Sequence, residues 1–317
     1  MSSPALSLVV TTVGRPQEFE RLLRSVIASD LADQVELVLV DQSADQSCAA
    51  VLDRLAPPSS PGRLLRTART TSGRGASHGR NTGLGLATAP VVGFPDDNCW
   101  YPEGALRAVV EAFADDGGLA GLSGRQLTEE GRPSMLRWKA AAGPVTRRNF
   151  LHTSIMSTMF FAREHMDAVG HFDETMGVGS FGWYGAGEES DLVLRVLAAG
   201  GRVRYDPALV VLQEEPREAP DERFVAKMLS YGCGMGHLWR LHGLSRSQLA
   251  YYAARKVAGV AVRTAQGRPV VARADAAYLR GLAAGLVDRP PRALRERAAL
   301  AGTSAPRVRA RPGVPGA

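Results

Sequence analysis

Three apolar, β-branched runs that each end abruptly in polar residues restrict this chain to a small set of folds. Leu6–Thr12 (LSLVVTT) closes on Thr11 and Thr12, residues 35–40 (VELVLV) close on Asp41, and residues 91–94 (VVGF) run into Pro95, Asp96 and Asp97. Short continuous apolar runs suit strands buried on both faces of a sheet. Helical patterns separate them: after Gly14-Arg15-Pro16, residues Phe19, Leu22, Leu23, Val26 and Ile27 fall on one helical face. Strands alternating with helices predict right-handed βαβ units and a mostly parallel sheet flanked by helices, an α/β fold. Such a sheet gathers its carboxyl ends at one rim, where open α/β sheets bind ligands.

The pattern continues with a third strand over 63–69, a mobile glycine- and serine-rich stretch over 70–79, and a helix over 80–87. A helix over 102–113 and a strand over 119–125 follow. Residues 126–150 are irregular and expected to cover the site, and 157–162 (STMFFA) read as another strand. A helix over 188–199 carries Leu192, Val193, Val196 and Leu197 on one side, and short strands are expected at 203–205 and 209–212. From Asp221 the pattern is helical, and after Asp288 Pro and Arg accumulate. The expected organisation is a ligand-binding unit over 1–220, a helical region over 221–288 and a disordered tail over 289–317.

Composition narrows the function. A net charge of +6 comes mainly from arginine, since Lys139, Lys227 and Lys256 are the only lysines. No nucleic-acid motif and no alternation of basic with aromatic residues accompanies it, so nucleic acid is not the expected partner. Arginine spread along the chain fits attraction to anionic substrates or a membrane surface. Cys48, Cys99 and Cys233 are too few and too scattered for a disulfide framework or zinc cluster. The six histidines show no metal-ligand spacing. With no signal-peptide pattern at the N-terminus and no apolar run near the roughly 20 residues a span requires, the expected location is the cytoplasm, extending to the inner membrane surface.

Chemistry concentrates at three places. Asp96 and Asp97 follow a buried strand; adjacent carboxylates there repel and lose hydration unless a cation or strong donors sit beside them. A hard divalent cation bridging to a substrate diphosphate is the simplest occupant, and a polar turn is the alternative. Gly79-Arg80-Asn81-Thr82-Gly83 opens a helix, where backbone amides and a guanidinium suit an anion. Trp183-Tyr184-Gly185-Ala186-Gly187 leads into Glu188, Glu189 and Asp191. The helix dipole accounts for one or two acids at a helix start, but not for the aromatic, glycine-rich approach, which suits stacking on a sugar with one carboxylate as general base.

In order and spacing these motifs resemble the family 2 glycosyltransferases of GT-A fold over roughly residues 5–215. The resemblance implies single-sugar transfer, with inversion, from a nucleoside-diphosphate sugar, UDP or dTDP favoured, to an acceptor hydroxyl on a small molecule, glycan or lipid-linked carrier. It implies that Thr11, Thr12 and Asp41 hold the nucleobase, Asp41 through N3–H of uracil or thymine, and that Arg80 contacts the nucleotide. Asp96 would take the ribose or metal, and Asp97 would ligate Mn²⁺ or Mg²⁺. Glu189 would be the base, with Glu188 beside it and Asp191 as rival; Trp183 and Tyr184 would line the acceptor site. Gln213 stands where many relatives place a metal-assisting histidine. Two other readings remain: a non-catalytic binder of the same fold, which Gln213 keeps open, and a sugar nucleotidyltransferase, disfavoured by the short Thr-Thr-Val-Gly-Arg-Pro segment after the first strand. The helical C-terminus admits three readings: Tyr231-Gly232-Cys233-Gly234-Met235-Gly236 as a close helix crossing that shapes the acceptor pocket, Arg255, Arg263 and Arg280 as contacts to anionic lipid, or a plain packed helical appendage.

Overall fold

A computed structural model describes residues 3–56, 66–180, 182–214 and 220–300, with side chains to 296. Among the described residues nine strands form one sheet: β1 (Leu6–Thr12), β2 (Val35–Asp41), β3 (Arg66–Thr70), β4 (Val91–Gly93), β5 (Cys99–Trp100), β6 (Leu119–Leu127), β7 (Gly143–Pro144), β8 (Met159–Ala162) and β9 (Arg202–Gln213). Their order is β3-β2-β1-β4-β8-β6-β9-β5, with β7 on β9. Pairing is parallel over β3-β2-β1-β4, as expected, and turns antiparallel where β8 enters between β4 and β6. The register sets Thr12 opposite Asp41 and bridges Thr11 to Asp96, so four of the punctuating polar residues, one or two from each of the three runs, meet at one sheet end.

Side-chain alternation splits the core into two layers. Leu6, Leu8 and Val10 pack with helices α1 (Pro16–Ile27), α2 (Ser47–Leu55) and α4 (Ala105–Asp115), through Phe19, Leu22, Leu52 and Val109. Val9 and Val38 face the opposite layer, where α3 (Ala76–Leu84), α5 (Arg163–Val169), α6 (Glu188–Ala198) and α7 (Glu222–His242) supply Leu84, Met166, Leu192 and Leu238. Each such fully buried side chain contributes about 1.5–3 kcal/mol of transfer free energy.

Three local expectations change. The helix read at 80–87 begins four residues earlier, at Ala76. The two short strands expected near 203–212 are one twelve-residue strand, β9, whose irregular register around Asp206-Pro207 absorbs the proline. Past α8 (Arg246–Ala265) and α9 (Pro269–Leu286), residues Arg292–Leu300 form helix α10 rather than opening a disordered tail; 301–317, and part of the third strand read over 63–69, lie outside the described residues.

The crossing anticipated at residues 231–236 is between α7 and α9. A Cβ at Gly232 would sit 2.1 Å from the Tyr278 carbonyl oxygen, at Gly236 2.2 Å from that of Leu282, at Gly281 2.1 Å from that of Leu229, and at Gly285 2.1 Å from that of Cys233. Four glycines inside helices forfeit roughly 1 kcal/mol each in propensity; backbone-to-backbone approach is what they permit. Gly285→Ala is therefore expected to destabilise the chain by about 1–3 kcal/mol or more, read as a lowered urea midpoint. An unchanged midpoint would mean the helices are not held this close.

Candidate active site

Arg80, on α3, is the hub that joins the sheet rim to α6. Its guanidinium donates to Glu188 Oε1 at 3.1 Å, reaches Asp96 Oδ1 at 3.5 Å and lies 5.5 Å from the centre of the Phe172 ring. It is buried, yet Asp96 keeps 40% of its side-chain surface exposed, so the cluster opens toward solvent at Asp96. Gly187, at φ 102°, makes the left-handed turn that starts α6 and places Glu188 and Glu189 together at its first turn.

Glu189 accepts a hydrogen bond from the Met156 amide at 2.8 Å. Its pKa is pushed up to about 8, first by burial and then by the negative charge of Glu188, with the Met156 amide and Arg80 opposing. A carboxylate held near neutrality in this way is suited to proton transfer. Asp191, the rival base, points elsewhere. Fully buried, it binds Arg195 Nε at 2.9 Å and His242 Nε2 at 2.9 Å, which fastens α6 to the end of α7.

The carboxylates of the adjacent pair Asp96–Asp97, expected to share a cation, have different protein partners in this structure. The chain turns immediately after Asp96, with Cys99 N donating to the Asp96 carbonyl at 3.0 Å, and the two carboxylates take different partners. Asp97 is 1% exposed, accepts from Thr12 Oγ1 at 2.7 Å and from Arg15 Nε at 3.0 Å, and pairs with the rest of that guanidinium. Burial pushes its pKa up, with the Arg15 charge opposing. Thr12 thus holds Asp97 rather than a base. The oxygens that remain near the Asp96 turn are those of Asn98 and Gln213: Gln213 Nε2 donates to Asn98 Oδ1 at 3.1 Å, leaving Gln213 Oε1 buried without a partner. Asp96, Asn98 and Gln213 offer oxygens and one negative charge, the donor type that a hard divalent cation takes together with substrate phosphates. Among the described residues no group of three or more His, Cys, Asp or Glu could hold a metal alone.

Asp41 is also committed to the protein. Oδ1 accepts from the Ser43 amide and hydroxyl, Oδ2 from the Cys48 and Ala49 amides at 3.1 and 3.3 Å. It caps the start of α2, which supersedes the expectation that it reads a base. Its neighbour Gln42 gathers the loop above by donating to Ser72 Oγ and to the carbonyls of Gly73 and Gly75. Thr11 Oγ1 is buried with no partner among the described residues, leaving it for a ligand, and Trp183 Nε1 is buried beside the Tyr184 side chain. Tyr184 is core, 3% exposed, stacked 4.0 Å from His237 and bonded to Asp288, not part of an acceptor surface.

Helix α7, where the sequence indicated a crossing at Tyr231–Gly236 but not a role for Ser230 or Lys227, supplies further groups. Gly185 N donates to Ser230 O at 3.1 Å, Ser230 Oγ donates to Trp183 O at 3.0 Å, and a Cβ at Gly234 would collide with Ala186 backbone. On the same face, Tyr231 has its pKa raised by burial and by the charges of Glu188, Glu189 and Asp96, and the Lys227 ammonium sits 5.1 Å from the Tyr231 ring centre. The Lys227 pKa is lowered by burial and by the positive charge of Arg15. Lys227 thus feels the charge of Arg15, which is itself paired with Asp97. The i, i+4, i+7 spacing of Lys227, Tyr231 and Gly234 was the available signal.

Residues 7–168, just over half of the chain, match the family described as Glycosyl transferase family 2. Two curated relatives, the Pre-mycofactocin glycosyltransferases of two strains of Mycobacterium tuberculosis, are 26% identical over 178 residues; the match takes in 50% of this chain but only 34% of theirs. Among solved structures, a mannosyltransferase from Pyrobaculum calidifontis in complex with GDP-Man and Mn2+ is similar at TM-score 0.59 and 17% identity, over 91% of this chain and 88% of that one. TarS of S. aureus is similar at TM-score 0.54 and 17% identity, over 75% of this chain and 42% of that one. These structures share the fold.

Proposed function

The chain belongs to glycosyl transferase family 2, and on that footing we propose that it moves a single sugar from a nucleoside-diphosphate sugar to an acceptor hydroxyl with inversion. The observation that supports it most is the acid cluster of Asp96, Glu188 and Glu189 gathered on Arg80, with Glu189 near neutrality. In the reaction the acceptor oxygen bonds to the anomeric carbon, the bond from that carbon to the diphosphate oxygen breaks, and the acceptor proton passes to the Glu189 carboxylate. A positioned base typically accelerates such a step by about 10²–10⁴-fold. Arg80 orients Glu188 and Asp96, Thr11 Oγ1 and the Asp96 carboxylate offer contacts to the nucleoside, and Trp183 lines the acceptor side. Mn²⁺ or Mg²⁺, if bound, would be held by Asp96, Asn98 and Gln213 with the diphosphate, and would neutralise charge on the leaving group.

UDP and dTDP were favoured because Asp41 could accept from N3–H. With its oxygens occupied by the start of α2, that preference loses its basis, and GDP-sugars join the candidate donors, as in the Pyrobaculum complex. A panel of UDP-, dTDP- and GDP-sugars, assayed for transfer or hydrolysis with and without Mn²⁺, tests the reading; release of no nucleoside diphosphate from any of them would favour a non-catalytic binder.

Lys227 is assigned to the donor phosphates. Lys227→Met is expected to weaken nucleoside-diphosphate binding by ~10-fold or more, the scale of one charge-assisted hydrogen bond, and to leave binding of the bare nucleoside unchanged. Titration calorimetry separates these outcomes, and equal losses for both ligands would withdraw the assignment.

A further inference from the structure

The charge of this chain is divided more sharply than its total suggests. Residues 1–245 contain twenty-four Lys and Arg against twenty-nine Asp and Glu, whereas residues 246–317 contain fourteen against three. The first part is net negative, and the chain's net positive charge comes from the last helices and the tail. Charge asymmetry of this kind points to an extended anionic surface.

Helix α8 is where this charge meets an uncovered apolar surface. Its twenty residues contain four cations and no acid, and none of its side chains is fully buried. One face, with Leu249, Tyr252, Lys256, Gly259 and Arg263, turns toward the protein. Lys256 and Arg263 both bind Asp275 of α9 at 2.8 Å, and Tyr252 packs on Trp239 and Tyr278. The anticipated lipid contact of Arg263 is therefore not available. The opposite arc holds Tyr251, Val257 and Val262 at 62, 57 and 53% exposure, with exposed alanines between them. Arg255, 5.7 Å from the Tyr251 ring, and Arg246 flank this arc and have no acidic partner among the described residues. A groove of about 500 Å³ between α8 and α9, lined by Val260, Thr264, Pro269, Ala272 and Arg273, adjoins it.

We propose that the exposed face of α8 rests on an anionic phospholipid surface, its tyrosine and valines entering the headgroup boundary and its flanking arginines meeting lipid phosphates. Apolar exposure on one arc and cations at its margins is the arrangement of a helix lying in the interfacial plane. Each basic residue near such a surface contributes about 1 kcal/mol, and salt screens it. No described helix is long and apolar enough to cross a membrane, so the contact is peripheral. A second copy of the chain is disfavoured as occupant because two faces of the same sign would repel, and nucleic acid offers no apolar partner to the ridge. The proposal is independent of the glycosyl-transfer reading.

Co-flotation of the full chain with phosphatidylcholine vesicles, with and without phosphatidylglycerol, tests it. Binding is expected only to the anionic vesicles and is expected to fall as salt rises. The uncharged double variant Tyr251→Ser/Val262→Ser is expected to lose about tenfold or more of that binding, while Val257→Trp gains. Thermal melting and nucleoside-diphosphate titration report whether both variants remain folded. Three outcomes overturn the proposal: equal vesicle binding by wild type and double variant, which assigns the contact to the tail; no vesicle binding; or a dimer or nucleic-acid complex that the double variant abolishes.

Discussion

Glu189→Gln is expected to reduce sugar transfer by about 10²–10⁴-fold while leaving nucleoside-diphosphate affinity intact, because the amide keeps the shape and the acceptor oxygen for the Met156 amide but cannot take a proton. The same substitution should stabilise the protein at neutral pH. The Glu189 pKa lies near 8 in the folded chain against 4.5 for the ordinary side chain, so between those values the native state retains a proton that the unfolded state has released. Stability from this group is complete below about pH 4.5 and is lost as pH rises through about 8. Glutamine removes the loss, so the melting temperature of the variant should exceed that of wild type at pH 8 and match it at pH 4.5. For wild type, kcat/KM should rise with pH toward about 8, since the base must be ionised; a cation or donor beside Asp96 and Glu188 would pull that limb lower. An active Glu189→Gln protein would remove the assignment, whatever its stability.

Asp191→Asn is expected to do the opposite: little to chemistry, much to folding. With Asp191 neutral, the Arg195 guanidinium and His242 lose the buried carboxylate that ties α6 to α7. Removing one partner of a buried ion pair costs about 3–5 kcal/mol, a large part of the roughly 5–15 kcal/mol that holds a typical domain together. The urea midpoint should drop accordingly, and transfer measured well below the unfolding transition should stay within a few-fold of wild type. A stable but inactive Asp191→Asn protein would return the base role to Asp191.

How much of this was legible beforehand depended on the range of the interactions. β1 and β2 were readable almost to the residue because strands buried on both faces are unbroken apolar runs, and Pro16 announced α1. The start of α3 was not, because it depends on Ser77 Oγ reaching Met176 O at 2.7 Å and Ala76 N reaching Val178 O at 2.9 Å, contacts a hundred residues away. The Asp206-Pro207 pair looked like a break, and only pairing with β6 shows that β9 bends and continues. At the site, Arg80, Asp96, Glu188 and Glu189 were each singled out in separate motifs, but the group expected around one cavity was Asp41, Asp97 and Glu189, and the joining of the motifs through Arg80 was not legible. Which way each carboxylate turns was not: Asp97 and Asp41 sit at the expected strand ends, but Thr12, Arg15 and the first turn of α2 claim them. Lys227 lay outside every motif, and Tyr231 was read only as part of a helix crossing; both sit on a helix whose relation to α6 is set by Gly234 against Ala186.

That last contact constrains any attempt to exchange parts with relatives. Because α7 lies on the segment that introduces the two glutamates, and the glycine crossing locks α7 to α9, chimeras joined near residue 220 would inherit a mismatched seam beneath the base. A productive graft would carry residues 183–290 as one cassette.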